Sequence, residues 1–326
     1  MTASFGDRPP DHEAENCRAI AFPSDGVICR GVHYVPLSSG FGAGGHGRPC
    51  VILAHGFGGT VGAGLEPYAR AFSEAGLHAV AFDYRCFGAS DGEPRQHVSL
   101  RGQLQDWQAA IAWVRSQPSI DADQVILWGV SLSGGHVIDV AAKDERIAAV
   151  ISKFPMLDGL AAIRRVAAYA GLGQLMRLTK SGLRDGIGGL LGRQRVTIPV
   201  VAAPGSLAAL ATTDAESGYK AITPPDWVNE VCAGITLRIP FYRPGQRLKR
   251  VRAPLLIQIA QADTILPMAS IERFSHSSRR SVEVRYYASG HFDAFGGALF
   301  QQAVTDQIAF LRKHLAGGNH ESEPAQ

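Results

Sequence analysis

The sequence predicts an α/β architecture: a mostly parallel central sheet of about eight strands, flanked by helices and interrupted by a mainly helical insertion. Three observations carry this. From Cys50 onward, short apolar runs of strand type alternate with longer helical stretches, the signature of βαβ units. The alternation breaks at Phe154-Pro155 and resumes after Pro254. One strand-like run, Val125 to Trp128, passes through Gly129-Val130-Ser131-Leu132-Ser133-Gly134-Gly135-His136, a sharp strand–turn–helix with a hydroxyl at its apex.

At 326 residues, with 46% hydrophobic and 19% charged residues, the chain can bury a sizeable core. A net charge of +3 is too mild to argue for nucleic acid or a membrane surface. Met1 to Asn16 is polar, carries both signs of charge and lacks the apolar segment of a secretory signal. No apolar run reaches the roughly 18 residues of a membrane span. The cysteines (Cys17, Cys29, Cys50, Cys86, Cys232) are odd in number and scattered, without a C-x-x-C pair. This argues against a disulfide framework or zinc site and for a reducing, cytoplasmic setting.

Residues 1–16 and 316–326 read as loose tails. Strand-like runs Arg18 to Phe22 and Val27 to Val35 flank Asp25-Gly26, a hairpin signal. The Gly-rich loop Ser38 to Gly47 formally contains G-x-G-x-x-G at Gly40 to Gly45. It leads into a strand rather than a helix, so no helix N-terminus faces a pyrophosphate there. Then come strand Cys50 to Ala54, helix Gly64 to Ala75 and strand His78 to Phe82. In helix Ser99 to Ser116, Leu100, Leu104, Trp107, Ile111 and Val114 form one apolar stripe. Strand Val125 to Trp128, helix Ser133 to Lys143 and strand Ile147 to Ser152 follow. After the break come strand Leu255 to Ala260, helix Pro267 to Ser275, strand Val282 to Tyr287 and helix Ala298 to His314.

The predicted core is therefore 17–152 with 251–315, and 153–250 is the insertion, placed over the C-terminal strand ends as a lid. The insertion holds helical stretches Leu160 to Tyr169 and Leu172 to Leu183. It carries fourteen Lys/Arg against six Asp/Glu, so it is about +8 and the remainder about −5. That is either a solvated basic face or an attraction for an anionic substrate.

A serine hydroxyl at such an apex is a weak nucleophile. It needs a base, usually histidine, and a carboxylate to fix the imidazole tautomer. His136 lies in the following helix, His276 in a helix-to-strand joint and His314 on the terminal helix. His291 instead follows strand Val282 to Tyr287, in a loop that opens on the same sheet edge as Ser131. Asp263 has the same placement after Leu255 to Ala260. Asp263 also reads as a helix cap near Pro267, and Asp158 is the next candidate for the acid. The order Ser131, Asp263, His291 is that of one known triad arrangement. An oxyanion hole needs backbone N–H groups. Leu132 supplies one at a helix start, and Phe57, in His55-Gly56-Phe57-Gly58-Gly59, the other. His55 reads as structural. Phe57, Leu157, Leu160 and Trp227 are the expected substrate-binding side chains, although the last three also suit ordinary packing.

Ala54-His55-Gly56-Phe57-Gly58-Gly59, Phe82-Asp83-Tyr84-Arg85 with Gly88 and Ser90, the Ser131 turn, Asp263 and Gly290-His291 together resemble the α/β-hydrolase superfamily of serine hydrolases. The likeness covers roughly 18–152 and 253–315, and looks closest to a branch holding bacterial hydrolases and fungal polyketide transferases. One position departs: the family's G-x-S-x-G ends here in Ser133 rather than glycine. The resemblance implies an α/β-hydrolase fold and cleavage of a carboxylic ester or thioester through an acyl-enzyme. Transfer of the acyl group to an alcohol or amine is the alternative. A peptidase or a non-catalytic binding protein is a more distant reading. No metal or organic cofactor is called for. The expected partner is a small acyl ester or thioester, free or carrier-bound, and a dimer is compatible with the sequence.

Overall fold

A computed structural model describes residues 16–42, 47–275 and 282–315. The expected tails, apart from Asn16, lie outside these residues, as do His276 and part of the Gly-rich loop. The chain opens with β1 (Cys17–Ser24) and β2 (Val27–Tyr34). Asp25 and Gly26 between them both have positive φ (45° and 85°), the backbone that a two-residue hairpin turn demands.

Then follow β3 (Arg48–Ala54), α1 (Glu66–Ala75), β4 (His78–Phe82) and α2 (Leu100–Arg115). Ser99 starts α2 by accepting the Gly102 N–H at 3.1 Å. β5 (Ile120–Val130), α3 (Leu132–Ala141) and β6 (Ile147–Lys153) complete the first half. β5 begins earlier than its apolar run, because Ile120 pairs with Arg48 before a register irregularity. The intervening Asp121, Asp123 and Gln124 are polar, which hid this part of the strand.

The stretch between β6 and the next sheet strand holds α4 (Gly159–Leu190), capped by Asp158 and broken at Gly171 (φ 77°, ψ 174°). It continues through β7 (Thr197–Ile198), α5 (Ala215–Ile222) and β8 (Val231–Cys232), β7 pairing with β8. Three short 3-10 segments follow: Ala233–Leu237, Ile239–Phe241 and Pro244–Arg250. The chain ends with β9 (Leu255–Ala260), α6 (Met268–Ser275), β10 (Val282–Tyr287) and α7 (Gly297–Leu315).

The main sheet has eight strands in the order β1-β2-β4-β3-β5-β6-β9-β10. β2 is antiparallel to both neighbours, and the other pairings are parallel. Its central strands are mainly apolar along their paired middles because both faces are covered. Cys50, Ile52 and Ala54 of β3 face one core with Trp107, Ile111 and Val114 of α2. Val51 and Leu53 face the other, with Phe72 of α1 and Phe310 and Leu311 of α7. Each such side chain contributes about 1.5–3 kcal/mol on burial. The parallel order brings the loops after β3, β5, β9 and β10 to one sheet edge, where α/β sheets place their ligands.

Candidate active site

Ser131 stands between β5 and α3 with φ 57° and ψ −118°. A non-glycine residue held there is strained, and surrounding contacts must fix it. Its N–H donates to the Lys153 carbonyl at 3.0 Å, and its own carbonyl accepts the Met156 N–H at 2.9 Å. A Cβ on Gly129 would lie 2.3 Å from the backbone oxygen of Ser133, so only glycine fits before the turn. Ser133, the irregular position, is fully buried. Its hydroxyl lies 2.7 Å from Tyr84 Oη, which also accepts Trp107 Nε1–H at 2.7 Å. A hydrogen-bonded serine thus fills the space beside the turn that a glycine leaves open.

Asp263 and His291 occupy the loops after β9 and β10. His291 Nδ1 lies 2.6 Å from Asp263 Oδ2, and both side chains are buried. The other carboxylate oxygen, Oδ1, accepts the N–H groups of Ile265 and Leu266, each at 2.8 Å. Capping and holding histidine, separate readings from sequence, are performed by opposite oxygens of one carboxylate. Burial pushes the Asp263 carboxyl up. The His291 charge, its hydrogen bond and the two N–H donors outweigh burial and hold it below the usual carboxylate range.

The Phe57 loop passes against the serine: a Cβ on Gly56 would lie 2.8 Å from Ser131 Cβ. The N–H groups of Phe57 and Leu132 have no acceptor among the described residues. The Phe57 and Gly58 carbonyls are held on their far side, by Tyr219 Oη–H at 2.7 Å and Trp227 Nε1–H at 2.9 Å. His55 is buried. Its Nδ1 accepts the Gly56 N–H at 2.8 Å, and burial pushes the imidazole down to about 3. Behind the serine, Lys153 is completely buried and its Nζ has no hydrogen-bond partner among the described residues. The amine sits 3.7, 4.5 and 5.3 Å from the ring centres of Phe295, Phe154 and Tyr68. Burial holds it well below the usual lysine range.

Ser131, Phe57 and Leu132 open onto a mainly apolar cavity of about 350 Å³. Ala162, Ile163 and Val166 of α4 form part of its wall, with Ile265 and Leu266 from the Asp263 loop.

A family model described as serine aminopeptidase, S33 (Hydrolase_4) matches residues 45–295. The chain belongs to this α/β-hydrolase family. The hydrolase is 38% identical to the quorum-quenching protein AidA of Acinetobacter baumannii, over 90% of its own length and 94% of the relative's. It is 25% identical to thiohydrolase aneE of Aspergillus aculeatus, over 94% and 96% of the two chains. It is also 25% identical to polyketide transferase af380 of Aspergillus fumigatus, over 92% and 99%. Among solved structures, the α/β hydrolase GrgF from Penicillium sp. sh18 superposes with a TM-score of 0.78 at 23% identity, over 92% and 99% of the chains.

Three residues expected at the substrate lie elsewhere in this hydrolase. Leu157 is buried in the core, its carbonyl accepting the Gly245 N–H. Leu160 falls outside the cavity wall, because the cap at Asp158 starts α4 in a phase that turns Ala162, Ile163 and Val166 inward. Trp227 holds the Gly58 carbonyl and stacks on Tyr219, so it supports the Phe57 loop instead of lining the cavity. His136 is buried between Tyr242 Oη (2.6 Å) and Gln103 (3.0 Å). Asp158, the alternative acid, is spent on its cap and on ion pairs with Arg243 and Arg273. Sequence reasoning missed Arg165 and Thr212, which bind Thr264 beside Asp263 at 3.0 Å each. Both lie far from Asp263 along the chain, and only the fold brings them there. All five cysteines are free, and no described helix is long and apolar enough to cross a membrane.

Proposed function

We propose that the protein cleaves a carboxylic ester or thioester through an acyl-serine intermediate on Ser131. The observation that carries this is the buried 2.6 Å contact of Asp263 with His291 Nδ1, at the sheet edge where Ser131 opens onto an apolar cavity. With Nδ1–H donated to the carboxylate, Nε2 is the basic nitrogen. It takes the Ser131 proton as Oγ adds to the acyl carbonyl. The N–H groups of Phe57 and Leu132 receive the oxyanion, the latter also at the positive end of α3. Collapse expels the alcohol or thiol, protonated by His291. Water, deprotonated by His291, then adds to the acyl-serine, and collapse returns the acid and the free serine. Asp263 orients the imidazole and stabilises its cation throughout.

The apolar wall suits an acyl chain. The basic stretch between β6 and β9 acts as a lid and favours anionic donors, including an acyl group on an acidic carrier. The likeness to a polyketide transferase supports the second reading, in which an alcohol or amine resolves the same acyl-serine. Five free thiols support a cytoplasmic setting.

The test compares fluorophosphonate labelling of wild type and Ser131→Ala, then turnover of p-nitrophenyl esters and acyl thioesters with and without an alcohol acceptor. Wild type alone should label. Equal labelling of the alanine variant would remove Ser131 as nucleophile, and ester in place of free acid would assign transfer.

A further inference from the structure

Six of the ten large apolar side chains most exposed among the described residues lie on or just after the second half of α4: Leu172, Met176, Leu183, Ile187, Leu190 and Leu191. Leu172 is 72% exposed, Met176 67% and Leu190 89%. The break at Gly171 makes residues 172–190 a separate helical segment. At about 100° per residue, all but Leu191 fall within a sector of roughly 60°. Leu178 and Asp185 point the other way and are buried. The stripe faces solvent while the opposite side of the helix carries the packing. A contiguous apolar surface of this kind marks an interaction site.

Beside this ridge runs a groove of about 880 Å³, walled by the same helix and by Arg193, Gln194 and Val196. A ridge next to a groove on one face is the self-complementary pattern of a two-fold interface: the ridge of each copy enters the groove of the other. From Leu172 to Leu190 the ridge is about 27 Å long at 1.5 Å per residue. With a groove of similar width it offers roughly 500–600 Å² per copy, about 1,000–1,200 Å² in all, enough for a specific interface. Lys180 and Arg184 border the stripe on one side and, with Arg193, line the groove beside its apolar side chains.

We infer that a second copy of this chain covers this face, making the protein a two-fold dimer through α4. The pairing bears on the cavity as well. Leu175 and Thr179 line both the groove and the Ser131 cavity, so the partner's ridge backs the wall that meets the acyl chain. This last point rests on the proposed acyl-serine chemistry; the dimer itself does not.

Sedimentation equilibrium of the full chain tests the pairing without any activity readout, so its outcome is separate from Ser131 labelling. Wild type should sediment as a dimer at micromolar concentration, and more tightly at high salt than at low, because like charges face each other across the contact. Leu183→Glu/Ile187→Glu should weaken association by about 100-fold or more, since two carboxylates enter an apolar contact. Both positions are half-exposed, and an unchanged melting temperature of the separated monomer verifies its fold. A wild type that stays monomeric at high micromolar concentration overturns the inference. So does a dimer untouched by the double variant. Salt-reversible binding of monomeric wild type to phosphatidylglycerol vesicles would reassign the face to an anionic surface.

Discussion

Replacing Asp263 by asparagine separates its two tasks. The amide oxygen can still accept the Ile265 and Leu266 N–H groups at the Oδ1 position, so the loop keeps its cap. At Oδ2 an NH₂ now confronts His291 Nδ1. Two donors cannot share that contact, so the imidazole shifts its proton to Nε2 and loses the lone pair that takes the serine proton in the proposed mechanism. A wrong tautomer of this kind costs about 10⁴-fold in kcat, or roughly 5.5 kcal/mol. Asp263→Ala also leaves two buried N–H groups without acceptors, at about 1–3 kcal/mol each. Ester hydrolysis and urea denaturation of both variants should therefore show Asn inactive and mildly destabilised at neutral pH, and Ala inactive and more strongly destabilised. The carboxyl is held below its usual range, so its ionisation favours the folded state. That contribution is complete above the unfolded carboxylate value and is lost as pH falls through the lower folded value, in wild type only. An asparagine variant retaining more than about a tenth of the activity would refute the assignment of Asp263 as the group that orients the base.

Two other kinds of buried group, three histidines and one lysine, give predictions from charge alone. Burial pushes His33, His55 and His136 each down to about 3, so the unfolded chain takes up protons first as pH falls below about 6.5. By pH 5 each should have lost about 2 kcal/mol of stability, together a large part of a typical domain's total; urea midpoints that agree at pH 7 and 5 would contradict this. Lys153→Met replaces an unpartnered buried amine with an apolar chain of similar length, and should raise stability by about 1 kcal/mol or more with activity retained. A lower melting temperature would mean that the amine has a polar role in the native protein.

Much of the scaffold was legible from short strand-type runs: Leu255–Ala260, apolar but for Gln258, and Val282–Tyr287, an edge strand that alternates apolar and charged residues at its start, are bounded as the pattern implies. The placement of Ser131, Asp263 and His291 was legible from the same pattern, since each lies just past a strand. The pattern failed where packing, not periodicity, decides. The polar start of β5 is a strand only because β3 lies beside it. β7 and β8 are two residues each, too short to show alternation. Trp227 looked like a pocket residue on composition, but its indole N–H needs an acceptor, and it finds one on the Phe57 loop. Lys153 ends an apolar strand, and sequence alone gives no sign that its amine stays inside.

The serine turn and the start of the stretch between β6 and β9 form one mechanical piece. Met156 donates to the Ser131 carbonyl, and Lys153 receives the Ser131 N–H. A Cβ on Gly134 would meet Pro155 at 2.9 Å, and one on Gly135 the Met156 carbonyl oxygen at 2.5 Å. The two glycines after the turn are therefore cut to the shape of Pro155-Met156. Anyone recombining this enzyme with a relative to change its substrate should move the crossover past Asp158 and keep 154–158 with the parent of the turn. A graft that begins directly after β6 would bring a foreign backbone against the Ser131 turn, and should lose activity before the new segment could be judged.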